Sequence, residues 1–192
     1  LRPAFQPIFS LVDQSVKGFE ALARFNTDSY RTPDKWFADA AQIGRGVELE
    51  LEAIKRSLEC AKQLPSACSV GLNVSPECLI SDELGDVLSS QDPAQIILEV
   101  TEHVQVDDYT QLIESITRFK KAGYRLAVDD AGAGYSSLNH IVQLQPDIIK
   151  LDISLTRDIH RDQVRRSLGH ALVFFAKETN AEIVAEGIET KG

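Results

Sequence analysis

Two adjacent aspartates, Asp129 and Asp130, stand where the apolar run Leu126-Ala127-Val128 ends and a glycine-containing stretch, "AGAGYSSL", begins. They are not alone. Glu20 and Arg24 lie in "GFEALARF", Asn73 ends "CSVGLN", and Glu99 and Glu102 lie in "QIILEVTE". Lys150 and Asp152 belong to "DIIKLDI", and Glu186 and Glu189 to "EIVAEGIE". Each polar residue sits within or at the end of a short apolar run, and most successive ones are separated by roughly the length of one strand-plus-helix unit. Carboxylates gathered at one place repel each other and are costly to desolvate. Divalent cations relieve both problems. Oxygen ligands with an amide among them, and no thiolate, suit Mg²⁺ or Mn²⁺ better than zinc. Adjacent aspartates at a strand-to-loop transition can reach two ions and share one of them. Two ions about 3.5–4 Å apart are an arrangement suited to phosphodiester hydrolysis. Lys150 then stabilises the attacking water or the developing charge. The glycines let the 131–137 loop approach the site or move over it.

The elements that must position these residues are legible as strand-like runs at 4–9, 18–25, 68–75, 95–102, 125–130, 147–153 and 182–188. Helical spacing of apolar residues marks 47–64, 108–122 and 163–178. The first two strands are separated only by "VDQSVKG", a hairpin-length connection, and are expected to pair antiparallel. Most later strands are apolar at consecutive positions, as strands covered on both faces are, so six parallel strands are expected after the first. The predicted fold is an α/β, TIM-like (β/α) barrel with its first strand antiparallel. A closed barrel of this kind normally needs eight strands and typically about 250 residues. This chain has 192 residues, so the last strand is expected to be missing, leaving a single domain over 1–192 cut at its C-terminal edge. The complete lack of methionine also suggests a piece of a longer protein.

Composition narrows the function. A formal charge of −9 disfavours a broad grip on nucleic acid polymers. No apolar run approaches the ~18 residues of a membrane span, and no signal-peptide pattern opens the chain, so no membrane contact is expected from this segment. The three cysteines form no CxxC pair and the four histidines no metal-binding pattern, which fits reduced thiols in the cytoplasm. "GAG" at 132–134 lacks the full dinucleotide-binding pattern. A Schiff-base role for Lys150 is disfavoured because so many anions would keep its amine charged. Trp36 and Phe37, in the helix-like "PDKWFADAAQIG", are expected in the core. His103 is read as a surface residue and "RDIHRDQVRR" as a solvated helix start.

These stretches together resemble the EAL-domain cyclic-di-GMP phosphodiesterases. The resemblance rests on "QPI" at 6–8, "EALARF" at 20–25, "LNVSP" at 72–76, "LEVTE" at 98–102, "DDAGAGYSSL" at 129–138, "IKLD" at 149–152 and "AEGIET" at 185–190, in that order. It implies hydrolysis of cyclic di-GMP to linear pGpG in bacterial signalling, with two ions of Mg²⁺ or Mn²⁺. By the same resemblance Glu20, Asn73, Glu99 and Asp129 are ligands of the first ion. Asp129 bridges, and Asp130 and Glu186 serve the second. Lys150 orients the catalytic water, Glu186 also matches a proposed general base, and Glu102 holds the catalytic loop. Gln6, Leu22 and Arg24, with Asp152 and Glu189, are expected at the substrate, Arg24 on a phosphate. The resemblance further implies a homodimer and sensory or cyclase domains in a parent protein that can be membrane-anchored. Two departures stand out. Ala131 and Ala133 replace the Phe and Thr of the usual DDFGTGYSS loop, and the family's last strand, which brings a glutamine to the site, is absent. The alternative is an EAL-type domain that binds cyclic di-GMP or a protein partner as a sensor, without hydrolysis.

Overall fold

Strand-forming and helix-forming segments alternate along this chain, and the resulting sheet brings their polar ends to one side. The computed structural model describes residues 1–27, 31–101, 109–131 and 136–188. Seven strands form one mixed sheet in chain order: β1 (Arg2–Phe9), β2 (Val16–Arg24), β3 (Ser69–Asn73), β4 (Ile96–Thr101), β5 (Arg125–Ala131), β6 (Ile148–Leu151) and β7 (Glu182–Ala185). The sheet curls into a half-barrel, with β1 and β7 as its edges. β1 runs antiparallel to β2 with Gln6 opposite Glu20. A tight turn joins them, in which Ser10 N–H donates to the Ser15 carbonyl at 2.9 Å. All later neighbours are parallel. The expected antiparallel start and parallel continuation are therefore present.

Helices cover the outer face. They are α1 (Pro33–Gln42), α2 (Gly46–Ala61), α3 (Pro76–Ile80), α4 (Asp82–Leu88), α5 (Tyr109–Ala122), α6 (Ser136–Leu144), α7 (Ile153–Thr156) and α8 (Gln163–Glu178). The apolar spacing of α2 buries Leu51, Ile54 and Leu58, and that of α5 buries Leu112, Ile116 and Phe119. Gly123 stops α5 with φ +101°, a conformation that favours glycine. Asp162 caps α8, accepting from Val164 N–H at 2.8 Å and Arg165 N–H at 3.1 Å. Outward-facing strand residues, including Leu72, Leu98, Val100, Leu126, Val128 and Ile149, join these helices in the main core.

The expectation for Trp36 and Phe37 is corrected. No residue of α1 is buried. Trp36 stacks on Phe25 with ring centroids 5.3 Å apart, and Phe37 meets Phe25 edge-on at 5.8 Å. The three rings form a partly exposed satellite cluster, and Arg31 covers Trp36 at 5.0 Å. The sixth strand is also shorter than expected, because Asp152 turns the chain into α7. Its carboxylate accepts from Ser154 N–H at 2.8 Å.

Candidate active site

Strand alternation sorts the sheet into two faces. The inner face holds a small apolar layer of Ile97, Ala127 and Ile148, with Val184 packed against it. Two residues further along come Glu99, Asp129 and Lys150 on the same strands and Glu186 just past the end of β7. Glu20 on β2 joins them, since it lies beside Gly71 in the β2–β3 register. Gly71 is what makes room. A Cβ on it would overlap the Glu99 carboxylate at Oε1. The glycine lets that side chain lie across β3 toward Glu20.

Lys150 is the hub. Its side chain is 2% exposed, and its Nζ lies 2.7 Å from Glu99 Oε2, 3.0 Å from Glu20 Oε2, 3.1 Å from Asp129 Oδ2 and 3.0 Å from Glu186 Oε1. An ammonium carries three protons, so four carboxylates share them. Burial opposes the charge on Lys150, but the attraction of Glu99, Asp129, Glu20 and Glu186 outweighs it and holds the ammonium protonated far above its usual range. Four carboxylates at hydrogen-bond distance favour the charged ammonium over a neutral Schiff-base amine. The carboxylates remain in excess. Burial pushes Glu99 up to about 7, with Lys150 pulling it down and Glu20 and Asp129 pushing it further up. Glu186 rises to about 6 by burial, against Lys150, with Asp129 and Glu20 adding to the rise. Asn73, beyond Gly71 on β3, donates from Nδ2 to Glu20 Oε1 at 3.1 Å.

The paired aspartates reach the same place because the strand is irregular there. In a regular strand adjacent side chains point to opposite faces. The β5–β6 register shifts between Val128 and Ala131, and Asp130 takes φ +58°. Asp130 N–H donates to Asp129 Oδ1 at 2.9 Å, which fixes the pair. Two groups of carboxylate oxygens result, Glu20–Glu99–Asp129 and Asp129–Asp130–Glu186, each within 4.8 Å of one another. Asp129 belongs to both. These are hard oxygen donors with no thiolate or imidazole, a donor set that fits Mg²⁺ or Mn²⁺.

The other expected residues are more scattered. Gln6 is exposed on β1 opposite Glu20. Leu22 and Arg24 share the face of Glu20 by the two-residue repeat of β2. The exposed Arg24 guanidinium donates to the Ala23 carbonyl at 2.9 Å. Asp152 caps α7 at the rim. Glu102 and Glu189 lie outside the described residues, as do His103 and most of the glycine-containing loop. Sequence reasoning did not single out Gly71, although a glycine inside a strand is itself a sign of close approach. A groove of about 410 Å³ on the outer layer, lined by Ile113, Thr117, Lys121 and Gln145, is remote from this chemistry.

A sheet with these strand ends defines a class. The family model of the EAL domain matches residues 1–192, and the chain belongs to that family. Among curated relatives, the Escherichia coli (strain K12) protein named "Probable cyclic di-GMP phosphodiesterase PdeB" is 33% identical over 97% of this chain and 37% of its own length. "Cyclic di-GMP phosphodiesterase NbdA" of Pseudomonas aeruginosa is 31% identical over 97% of this chain and 25% of its own length. The solved structure of Klebsiella pneumoniae BlrP1 in a manganese and cyclic di-GMP complex superposes with a TM-score of 0.86 at 32% identity, covering 98% of this chain and 50% of that one. The chain thus spans between a quarter and a half of the length of these proteins. No helix among the described residues is long and apolar enough to cross a membrane.

Proposed function

We propose that this domain hydrolyses one phosphodiester bond of cyclic di-GMP to give linear pGpG, using two Mg²⁺ or Mn²⁺ ions. The observation that carries the reading is the pair of carboxylate groups sharing Asp129, with Lys150 between them. The names of the relatives and the ligands of the BlrP1 complex support it. Glu20, Asn73, Glu99 and Asp129 would hold one ion, and Asp129, Asp130 and Glu186 the other. When bound, such ions polarise the phosphoryl oxygen and lower the pKa of an attacking water.

The remaining roles belong to side chains. The Lys150 ammonium orients the water through an N–H. Glu186, whose carboxylate stands 3.0 Å from Lys150 Nζ, takes the proton of that water as general base. The water oxygen bonds to phosphorus, the P–O3′ bond breaks, and the 3′ oxygen leaves as a hydroxyl, taking its proton from solvent water. Arg24 presents its guanidinium fork to phosphate oxygens. Gln6, Leu22, Asp152 and Glu189 contact the nucleotide, and Glu102 anchors the loop after β5. We place the domain in the cytosol, as its free thiols Cys60, Cys68 and Cys78 suggest. We further read it as one part of a homodimeric protein that also carries sensory or cyclase domains, in keeping with the greater length of the relatives.

The test is direct. Incubation with cyclic di-GMP and Mn²⁺, followed by chromatography, should give pGpG that EDTA abolishes. Cyclic di-GMP bound but never cleaved would turn the reading into that of a sensor.

A further inference from the structure

We propose that Thr156 is a positioning residue for Glu186. The inference rests on the reading that Glu186 serves the second ion and the attacking water. β7 ends at Ala185, so Glu186 stands just beyond the last strand position and needs other support. Its N–H donates to the Leu151 carbonyl at 3.0 Å. Its own carbonyl accepts from Thr156 Oγ1 at 2.6 Å. Thr156 is 6% exposed, so water does not compete well for that hydroxyl. The alternative acceptor, the Ile153 carbonyl one helical turn back, is longer at 3.3 Å. A threonine in a helix commonly spends its hydroxyl on its own turn. Here the short bond leaves the helix and grips the turn that bears Glu186.

The turn is packed closely against α7. Gly187 has φ +68°, and a Cβ there would fall 2.6 Å from Ile153 Cδ1. The peptide between Glu186 and Gly187 is therefore held from both sides by α7: Ile153 packs against the glycine, and Thr156 binds the carbonyl. α7 is itself anchored. Asp152 caps it, and Asp152 N–H donates to the Ala131 carbonyl at 3.2 Å, just past the paired aspartates. One four-residue helix thus links the ends of β5, β6 and β7. The orientation of the Glu186 peptide sets the direction of its side chain toward Lys150 and Asp129. Losing the hydroxyl leaves the fold and the substrate contacts in place but loosens that one carboxylate.

Thr156→Val removes the hydroxyl at nearly constant shape, and Thr156→Ser keeps it. Mn²⁺ uptake is measured by calorimetry and turnover by pGpG release. Thr156→Val is expected to weaken the second Mn²⁺ site and lower kcat, each by about tenfold, as loss of a supporting contact around a metal site does. KM for cyclic di-GMP should stay unchanged, and Thr156→Ser should recover both losses to within about twofold. A Thr156→Val chain with wild-type Mn²⁺ affinity and kcat, or a Thr156→Ser chain as impaired as Thr156→Val, would overturn the assignment alone. A wild-type chain that takes up no Mn²⁺ would overturn the two-ion reading and this assignment with it.

Discussion

Ile97, Ala127, Ile148 and Val184 make an apolar layer on the inner face of the sheet, and two residues further along stand Glu99, Asp129 and Lys150, with Glu186 just past the end of β7. Neighbouring positions on the same strands thus carry opposite chemistry. The apolar layer is ordinary packing, in which a side chain can be exchanged for another of like volume at little cost. The charged layer is over-determined. Every group in it is placed by another: Glu99 by the gap at Gly71, Lys150 by four carboxylates, Asp130 by a shifted register. The contrast teaches that the lower layer supplies stability while the upper one adds little of it near neutral pH, since buried charges contribute little net stability even when paired.

The largest effect expected from breaking the contrast follows Lys150→Ala. It leaves buried carboxylates without their counter-charge. Unfolding of the metal-free chain in urea should show a loss of about 3–5 kcal/mol. Turnover should fall by at least ~1000-fold, since a charge aimed at the reacting centre is lost. A milder break is Gly71→Ala, which displaces Glu99. Turnover should drop roughly 100-fold, in line with the loss of one preorganised group. Gly85→Ala on α4, where an added Cβ meets nothing within 4 Å, serves as the control and should leave turnover unchanged. In the apolar layer, Ile148→Ala should cost about 2–5 kcal/mol in chemical denaturation. Its turnover per folded molecule should stay near that of the parent, because the upper layer is held by its own contacts.

The last effect concerns pH. Glu99 binds its proton more tightly in the folded chain, at about 7 against an ordinary 4.5. That difference contributes stability fully present below pH 4.5 and lost as the pH rises through about 7. In EDTA, the contribution of Glu99 should therefore decline from pH 5 to pH 8, and Glu99→Gln should flatten that part of the urea-unfolding profile. An identical profile for Glu99→Gln would mean that burial does not hold the proton on this carboxylate.

Much of this was legible in the chain itself. The strand order, the antiparallel start and the polar strand ends follow from apolar runs and their spacing, because burial on both faces leaves a plain signature. The polar ends of the apolar runs single out Glu20, Glu99, Asp129, Asp130, Lys150 and Glu186, and the fold brings them together. What was not legible depends on particular local geometry. The register shift at Asp129–Asp130 leaves no compositional trace beyond the pair itself. Trp36 and Phe37 looked like core residues by type, yet α1 lies against the outside of the main core and their rings pack chiefly with Phe25. Thr156 carries no signal at all, since its role comes from a partner 30 residues away. Helices α3, α4, α6 and α7 have no counterpart in the apolar spacing of the sequence, because four to nine residues offer too little helical period to read.

The central claim is that Asp129 is shared by two ion sites. Calorimetric titration of Mn²⁺ into the wild type, Asp130→Asn and Asp129→Asn tests it most directly. The expected outcome is two ions per chain in the wild type, one in Asp130→Asn, and none bound with comparable affinity in Asp129→Asn. A wild type that takes up a single ion, or an Asp129→Asn chain that still binds two, would contradict it.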